Sequence, residues 1–449
     1  MKKSISYLLL SGMVTCASCE SRWSIHDKSG ALGKTNGPVE TTIKLNQRQL
    51  TAAHEGRLGL TEQPSGTAGE NLIPVQWDTL NPNARLIAVK LMPAGIPGNR
   101  RFVLSESKTS FGVAMQANED PASGQFIMSD NGKPVLRYNY NTVFEKDAID
   151  TLAANRYIVT PNDTFMANPS IYAVPRSNYI HPLYGLDGEL LTRDWSKDHP
   201  HHRGIYWAWP EVKFGEKMGD LHALQKVFAR PTGKIKLQNG PVFAQIEAEN
   251  LWMWEDHLSI VQEVAVIRAY RTTTQGRIID LAFRFIALKD SISIARRDTK
   301  LYGGLNVRMQ TPKQQEISVF TDSANMQPRR VWSDLSGIFA GADKSSGLMV
   351  LQHQQNPDYP GDWVQYPELS WCQPTFPAPG TRYKLEPGKP LVLHYRLIIH
   401  SGIKPNKELS EMLWDTFNSE VTSRLVFTIP EMEPMKHLKT ASLHDNLNH

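Results

Sequence analysis

Beyond Ile73 apolar and polar residues alternate with a period nearer two than 3.6, in short runs such as Arg85-Leu-Ile-Ala-Val-Lys-Leu-Met92, Gly347-Leu-Met-Val-Leu-Gln-His353 and Leu391-Val-Leu-His-Tyr-Arg-Leu-Ile-Ile399. Alternation of this kind suits strands with one buried face, because successive side chains leave a strand on opposite sides. Turn residues punctuate the runs. Asn131-Gly132 supplies the positive φ values of a type I′ turn and predicts a hairpin within Phe126–Tyr140. Further hairpins are predicted at Gln238-Asn239-Gly240-Pro241 and at Lys289-Asp290-Ser291, the latter joining Leu281–Leu288 to Ile292–Ile294. After Pro405-Asn406, residues Leu409, Met412, Leu413 and Phe417 fall on one face at helical spacing, which predicts a C-terminal helix over about residues 406–419. Many strands with this single helix predict an all-β protein, a large antiparallel β-sandwich.

The two ends depart from that pattern. Lys2 and Lys3, the apolar run Ile5–Val14 and the small residues Ala17-Ser18-Cys19 have the order of a lipoprotein signal peptide over residues 1–19, with Cys19 as the lipidation site. Cys16 stands where a lipobox usually has Leu, so cleavage before Cys16 and ordinary secretion are alternatives. The apolar run is too short to span a bilayer, and no other stretch is apolar enough. This predicts an extracytoplasmic protein, lipid-anchored to the cell envelope, in the periplasm or at the cell surface. Residues 20–72 are polar, with a weak helical hint at Ile43–Leu50, and read as a flexible tether with a reach on the order of 40 Å. The sandwich is then expected over 73–429 and a polar tail over 430–449.

Charge narrows the partners. Forty-nine Lys and Arg against forty-five Asp and Glu leave a net +4, with the basic residues scattered rather than clustered. A nucleic-acid footprint is therefore not expected. Once the signal is removed at Cys19, Cys372 is the remaining interior thiol and has no disulfide partner; beside Trp371, it reads as a small buried hydrophobe.

Chemistry concentrates in Tyr179–Trp209, which holds four histidines, two arginines and three tryptophans. Imidazole is the side chain that gives and takes protons near neutral pH or holds a metal. If His199-Pro-His201-His202-Arg203 is extended, His199, His201 and Arg203 share one face. Three readings stay open. In the first, His201 and His202 transfer protons, His199 and Arg203 orient them, and Arg308 helps to hold an oxygen-rich substrate. In the second, His199 and His201 bind a divalent metal with a distant ligand such as His353, although a cupin-type site would have Glu where Ile205 or Tyr206 stands. In the third, the polar side chains satisfy turn backbones. The candidate catalytic residues are His199, His201, His202, Arg203 and Arg308, and the candidate substrate-binding residues are His181, Trp209, His353 and Trp371. The tryptophans favour a sugar, whose C–H faces stack on such rings while its hydroxyls need polar partners. Glu263 lies on an apolar strand face with Val261 and Ala265, where burial raises a carboxyl pKa; an acid-base role and a structural pairing with Arg are both open. Gly303-Gly304 gives the chain freedom to form a bulge or approach a ligand. No cofactor is required, and a divalent metal is the alternative.

The segments Pro134-Val-Leu-Arg-Tyr-Asn139, Tyr179–Glu189, Leu191-Thr-Arg-Asp194, Asp198-His-Pro-His-His-Arg-Gly204, Tyr302-Gly-Gly-Leu305 with Arg308, and Trp332-Ser-Asp334 together resemble the bacterial family labelled methane-oxygenase PmoA-like, over roughly residues 134–401. The resemblance implies an exported β-rich protein of the kind associated with sugar catabolism, and a fold similar to the galactose-mutarotase-like supersandwich. It does not imply methane oxidation, since the integral monooxygenase subunit is a bundle of membrane helices. In mutarotases a His acts as acid and a Glu as base; this sequence has no unambiguous Glu partner. The function expected is a carbohydrate-active hydrolase, lyase or epimerase using histidine acid-base catalysis. A non-catalytic carbohydrate-binding protein and a metal-dependent enzyme are the alternatives. The expected partners are a carbohydrate ligand and the membrane, through its anchor.

Overall fold

A computed structural model describes residues 22–26, 37–42, 45–63, 72–80, 85–89, 100–143, 156–160, 163–167, 174–196, 199–418 and 422–426. Residues 1–19, where a signal peptide with lipidation at Cys19 is expected, Asp198 and the 430–449 tail lie outside them. The centre is an antiparallel sandwich of two sheets. The six-stranded sheet runs in the order Gly304–Val307, Ile205–Ala208, Tyr179–Leu183, Lys133–Asn139, Gln125–Asp130, Met115–Asp120. The eight-stranded sheet runs Val227–Gln238, Phe243–Trp254, Leu258–Tyr270, Arg277–Ala287, Leu391–Ser401, Ser346–Gln352, Val331–Ile338, Lys313–Thr321.

Their facing sides form one core. Tyr138, Ile180, Ile205 and Leu305 from the smaller sheet pack with Ile246, Ala265, Phe283 and Leu397 from the larger. Trp207 and Phe283 meet across it with ring centroids 4.1 Å apart. Full burial of each large apolar side chain is worth roughly 1.5–3 kcal/mol, so the alternation read from the sequence fixes which face turns inward. Glu263 also faces inward, at 0% exposure. Its carboxylate accepts from Asn178 Nδ2 at 2.6 Å, Trp207 Nε1 at 2.5 Å and Trp252 Nε1 at 2.7 Å. The partners are two indoles and an amide, not the Arg of the structural pairing that the sequence left open beside an acid-base role.

The Asn131-Gly132 hairpin forms as predicted, with φ of 48° and 78°. Gln238 and Phe243 bound the second hairpin, whose strands pair on either side of an irregularity between Pro231 and Ile235. The third prediction is corrected: Ile292–Ala295 does not pair with Arg277–Ala287 but crosses to a four-stranded sheet with Glu211–Phe214 and Tyr383–Leu385. The C-terminal helix spans Lys407–Asn418, its N-terminus capped by Asn406 Oδ1, which accepts from Leu409 N at 2.8 Å. Leu413 and Trp414 bury against Met349 and Ile398 on the outer side of the larger sheet.

The N-terminal region differs from the expected tether. Pro38–Thr42, Leu58–Gln63, Ile73–Trp77, Arg85–Val89 and Arg100–Glu106 join a seven-stranded sheet, and Gln47–His54 is a helix closed by an Asn46–Gln49 capping box. Val39, Ala52, Leu58, Leu60, Val75 and Phe102 form a second core, so strands of this sheet lie on both sides of the boundary placed at residue 73. It docks on the sandwich through Gln76, whose Oε1 accepts from Val242 N and Phe243 N at 3.0 Å each. Among the described residues no helix is long and apolar enough to cross a membrane.

Candidate functional site

Because Trp207, Leu305 and Val307 point into the core, their strand neighbours Tyr206, Asn306 and Arg308 point to the outer face of the six-stranded sheet. Tyr206 and Asn306 are paired across adjacent strands. Three loops and one short strand cover this face and bring the histidines to it.

Residues 199–204 form a turn rather than the extended run expected, with His202 N donating to His199 O at 3.0 Å. The turn thus gathers three imidazoles that alternation would have split. His199 and His202 stack at 4.7 Å, and His201 meets His202 edge-on at 4.5 Å. Gly204, at φ 58°, ends the turn, and Arg308 N donates to Gly204 O at 2.9 Å. A fourth histidine, His222, arrives on the loop after Lys217–Gly219; its ring lies 5.2 Å from His201, and Tyr206 Oη is 2.9 Å from its Nε2. Arg176 Nη2 holds that loop by donating to Leu221 O and His222 O at 2.7 and 2.6 Å. Trp371 packs 4.5 Å from His202, Tyr302 lies 5.0 Å from His222, and Tyr366 stacks on Trp371 at 5.2 Å.

Burial depresses every histidine pKa resolved here. The His201 imidazole is pushed down to about 3 by desolvation, then by the charges of its neighbours. His202 and His222 are held well below the usual value for the same reasons, and His181 is lowered as well. His201, His202 and His222 are therefore neutral at pH 7.

Several polar atoms here meet no hydrogen-bond partner within the protein: His202 Nδ1, Trp371 Nε1, and Gln373 Oε1 and Nε2, on side chains 2%, 3% and 0% exposed. Asn306 Oδ1 and His222 Nδ1 are buried on the same face. Bridges Gly304–Thr375 and Arg308–Trp371 bracket Asn306 and Gln373, placing them at the same level of adjacent strands. Buried donors and acceptors of this kind call for a partner from outside the chain, a polar ligand or water.

The sequence-predicted residues divide. His199, His201, His202, Arg308 and Trp371 converge. Arg203 is fully buried and faces away: its Nε is 2.5 Å from Asp194 Oδ1, its Nη2 donates to Tyr179 Oη at 3.0 Å, and it lies over the Trp195 ring at 3.4 Å. Its part is to anchor the turn. His181 sits beside that anchor, with Nδ1 3.0 Å from Thr192 Oγ1. Trp209 is corrected to the core, where it packs on Trp252 and Phe285 and donates to Phe376 O at 2.8 Å. His353 is corrected to the larger sheet, between His394 and Phe417 of the C-terminal helix. Cys372 is buried, and desolvation pushes its thiol up to about 12. Sequence reasoning gave no role to His222, Arg176 and Gln373, which are isolated polar residues in separate segments, nor to Tyr206, Tyr302 and Asn306, which lie inside segments it had singled out for other residues. Among the described residues no three His, Cys, Asp or Glu side chains are arranged to hold a metal ion.

Fold and face together define an all-β sandwich protein with a histidine-rich polar site on the outer side of its smaller sheet. The chain belongs to the family of unknown function DUF6807, whose model matches residues 127–415. This replaces the methane-oxygenase PmoA-like assignment suggested by the motifs, since the family that matches across those same segments is DUF6807. No curated protein matches. Among solved structures, an α-mannosidase from Enterococcus faecalis V583 is similar at 10% identity and a TM-score of 0.38, over 88% of this chain and 45% of that one. The chain thus spans under half of the mannosidase, and so slight a likeness says nothing of activity.

Proposed function

We propose that the outer face of the six-stranded sheet is a carbohydrate-active site that works by proton transfer through its clustered histidines. The observation that carries this reading is the convergence of His199, His201, His202 and His222 with Trp371 and Tyr302 around buried polar atoms that the protein leaves unsatisfied. A sugar offers apolar C–H faces to the aromatic rings and hydroxyls to the imidazoles and the Gln373 amide. His199 and His201 are half-buried residues where His202 and His222 are buried, so a ligand reaches the face from their side. A neutral imidazole accepts a proton at one nitrogen while donating a hydrogen bond from the other. Arg308 and Arg176 supply positive charge beside it, as the depressed His201 and His222 pKa values register. Such a set favours lyase or epimerase chemistry over carboxylate-pair hydrolysis, because Asp220 and Asp194 are each committed to an arginine, Arg297 at 2.5 Å and Arg203 at 2.5 Å.

A binding module would use the same surface without turnover. Incubation of the protein with a panel of oligosaccharides, followed by mass spectrometry, should detect a product; calorimetric binding with no product from any bound sugar would establish the binding module instead. The export signal and lipidation at Cys19 remain part of this proposal.

A further inference from the structure

The Trp363–Tyr366 and Trp371–Pro374 strands pair as a small hairpin with two working faces. Tyr366, Trp371 and Gln373 share the face turned to the histidines. Trp363 and Gln365 alternate with them and occupy the other face. There they line an open groove of about 380 Å³, together with Arg329, Asp358, Asp362 and Thr375. None of these residues belongs to the histidine site.

We propose that this groove is a second carbohydrate-binding site, one that takes a neutral oligosaccharide; the ligand class rests on the reading of the histidine site as carbohydrate-active. Its volume lies in the range of small-molecule sites, which run from roughly 300 to 1,000 Å³. Trp363 offers a half-buried ring for a sugar face, and its Nε1 is buried with no partner inside the protein. Val319, Pro360 and Pro379 supply apolar wall. Asp358 is exposed and the Asp362 side chain is 52% exposed, so both present carboxylate oxygens to hydroxyl donors. The charge balance argues against an anionic ligand. The lining has two carboxylates, Asp358 and Asp362, against the single guanidinium of Arg329, and Arg296 offsets only Asp362, at 3.2 Å, so the groove carries no net positive charge. The groove is backed by the same hairpin that carries Trp371, so a chain held there is kept beside the histidines.

The test is calorimetric titration of wild-type protein, Trp363→Ala, Gln365→Ala and His201→Gln with cello-, manno-, malto- and xylohexaose, with thermal midpoints recorded for each. At least one hexaose should bind wild type. Trp363→Ala should weaken it about tenfold or more, a loss of about 1.4 kcal/mol, and exposed Gln365→Ala should weaken it measurably while leaving the fold intact. The binding component that Trp363→Ala removes should persist in His201→Gln within about threefold of wild type. The proposal is overturned if no hexaose binds, or if binding is unchanged in both groove variants. Binding lost in His201→Gln alone would also overturn it, while leaving the histidine site standing. Weakened binding in the groove variants with no effect of His201→Gln on turnover would uphold the groove and remove the catalytic reading.

Discussion

Tyr206 and Trp207 are consecutive on one strand and serve opposite chemistries. Trp207 enters the core and donates to Glu263, whereas Tyr206 leaves it and meets His222. Burial raises the Glu263 pKa while its three donors pull the other way. Glu263→Gln keeps the shape but places an amide N–H₂ against an indole or amide donor. It should cost about 1–3 kcal/mol in urea denaturation, the penalty for an unsatisfied buried group; an unchanged unfolding midpoint would show that the carboxylate is not the acceptor of these bonds. The histidines set a pH dependence of known sign. Unfolded, they titrate near 6.5; folded, His201 is held down to about 3, and His202 and His222 well below their usual value. Between those values the unfolded chain binds more protons, so their contribution is full above about pH 6.5 and is lost as pH falls toward 3. Denaturation from pH 7 to 4 should show stability falling with a slope that flattens in His202→Gln. A slope identical in the variant would place His202 in solvent contact.

Elements with local causes were legible in the sequence. Asn131-Gly132 needs only its own positive φ values, and the C-terminal helix only one apolar stripe and a preceding Asn. Lys289-Asp290-Ser291 failed as a hairpin because its turn chemistry is the same whether the next strand pairs back or crosses to another sheet. The region from Pro38 to Gln63 was hidden for a different reason: a few buried residues, Val39, Ala52, Leu58 and Leu60, make a core inside a mostly polar stretch. Two glycines separate local strain from packing. A Cβ at Gly132 meets nothing within 4 Å, so Gly132→Ala should cost only the left-handed backbone, roughly 1–2 kcal/mol. A Cβ at Gly204 collides with the Ile180 carbonyl and His181 Cβ at φ 58°. Gly204→Ala should therefore cost about 2–5 kcal/mol and disperse the histidines. Equal thermal midpoints for the two variants would contradict the packing of the 199–204 turn.

At the scale of the molecule, the sandwich followed from period-two alternation, and the site only partly. The 179–209 run announced three of the four clustered histidines. His222, Tyr302 and Gln373 reach the same face from loops and strands up to about 170 residues away in sequence, by pairings no local pattern encodes. Trp209 misled because an indole looks the same in sequence whether it faces a ligand or a core. Placement in the cell rests on Cys19. Expressed with its own signal in a lipidating bacterium, the protein should sediment with membranes, and Cys19→Ala should release it; wild-type protein found wholly in the soluble fraction would rule out the anchor.

The central claim, that the clustered imidazoles perform proton transfer, is tested most directly by kcat/KM of His201→Gln on whichever oligosaccharide the wild type converts, measured at matched folded fraction. Glutamine keeps polarity and hydrogen bonding but has no nitrogen that can take up a proton. A loss of about 10²-fold or more, with the thermal midpoint nearly unchanged, is the result the site predicts. Activity retained at constant folded fraction would contradict it and reduce the cluster to a structural or binding surface.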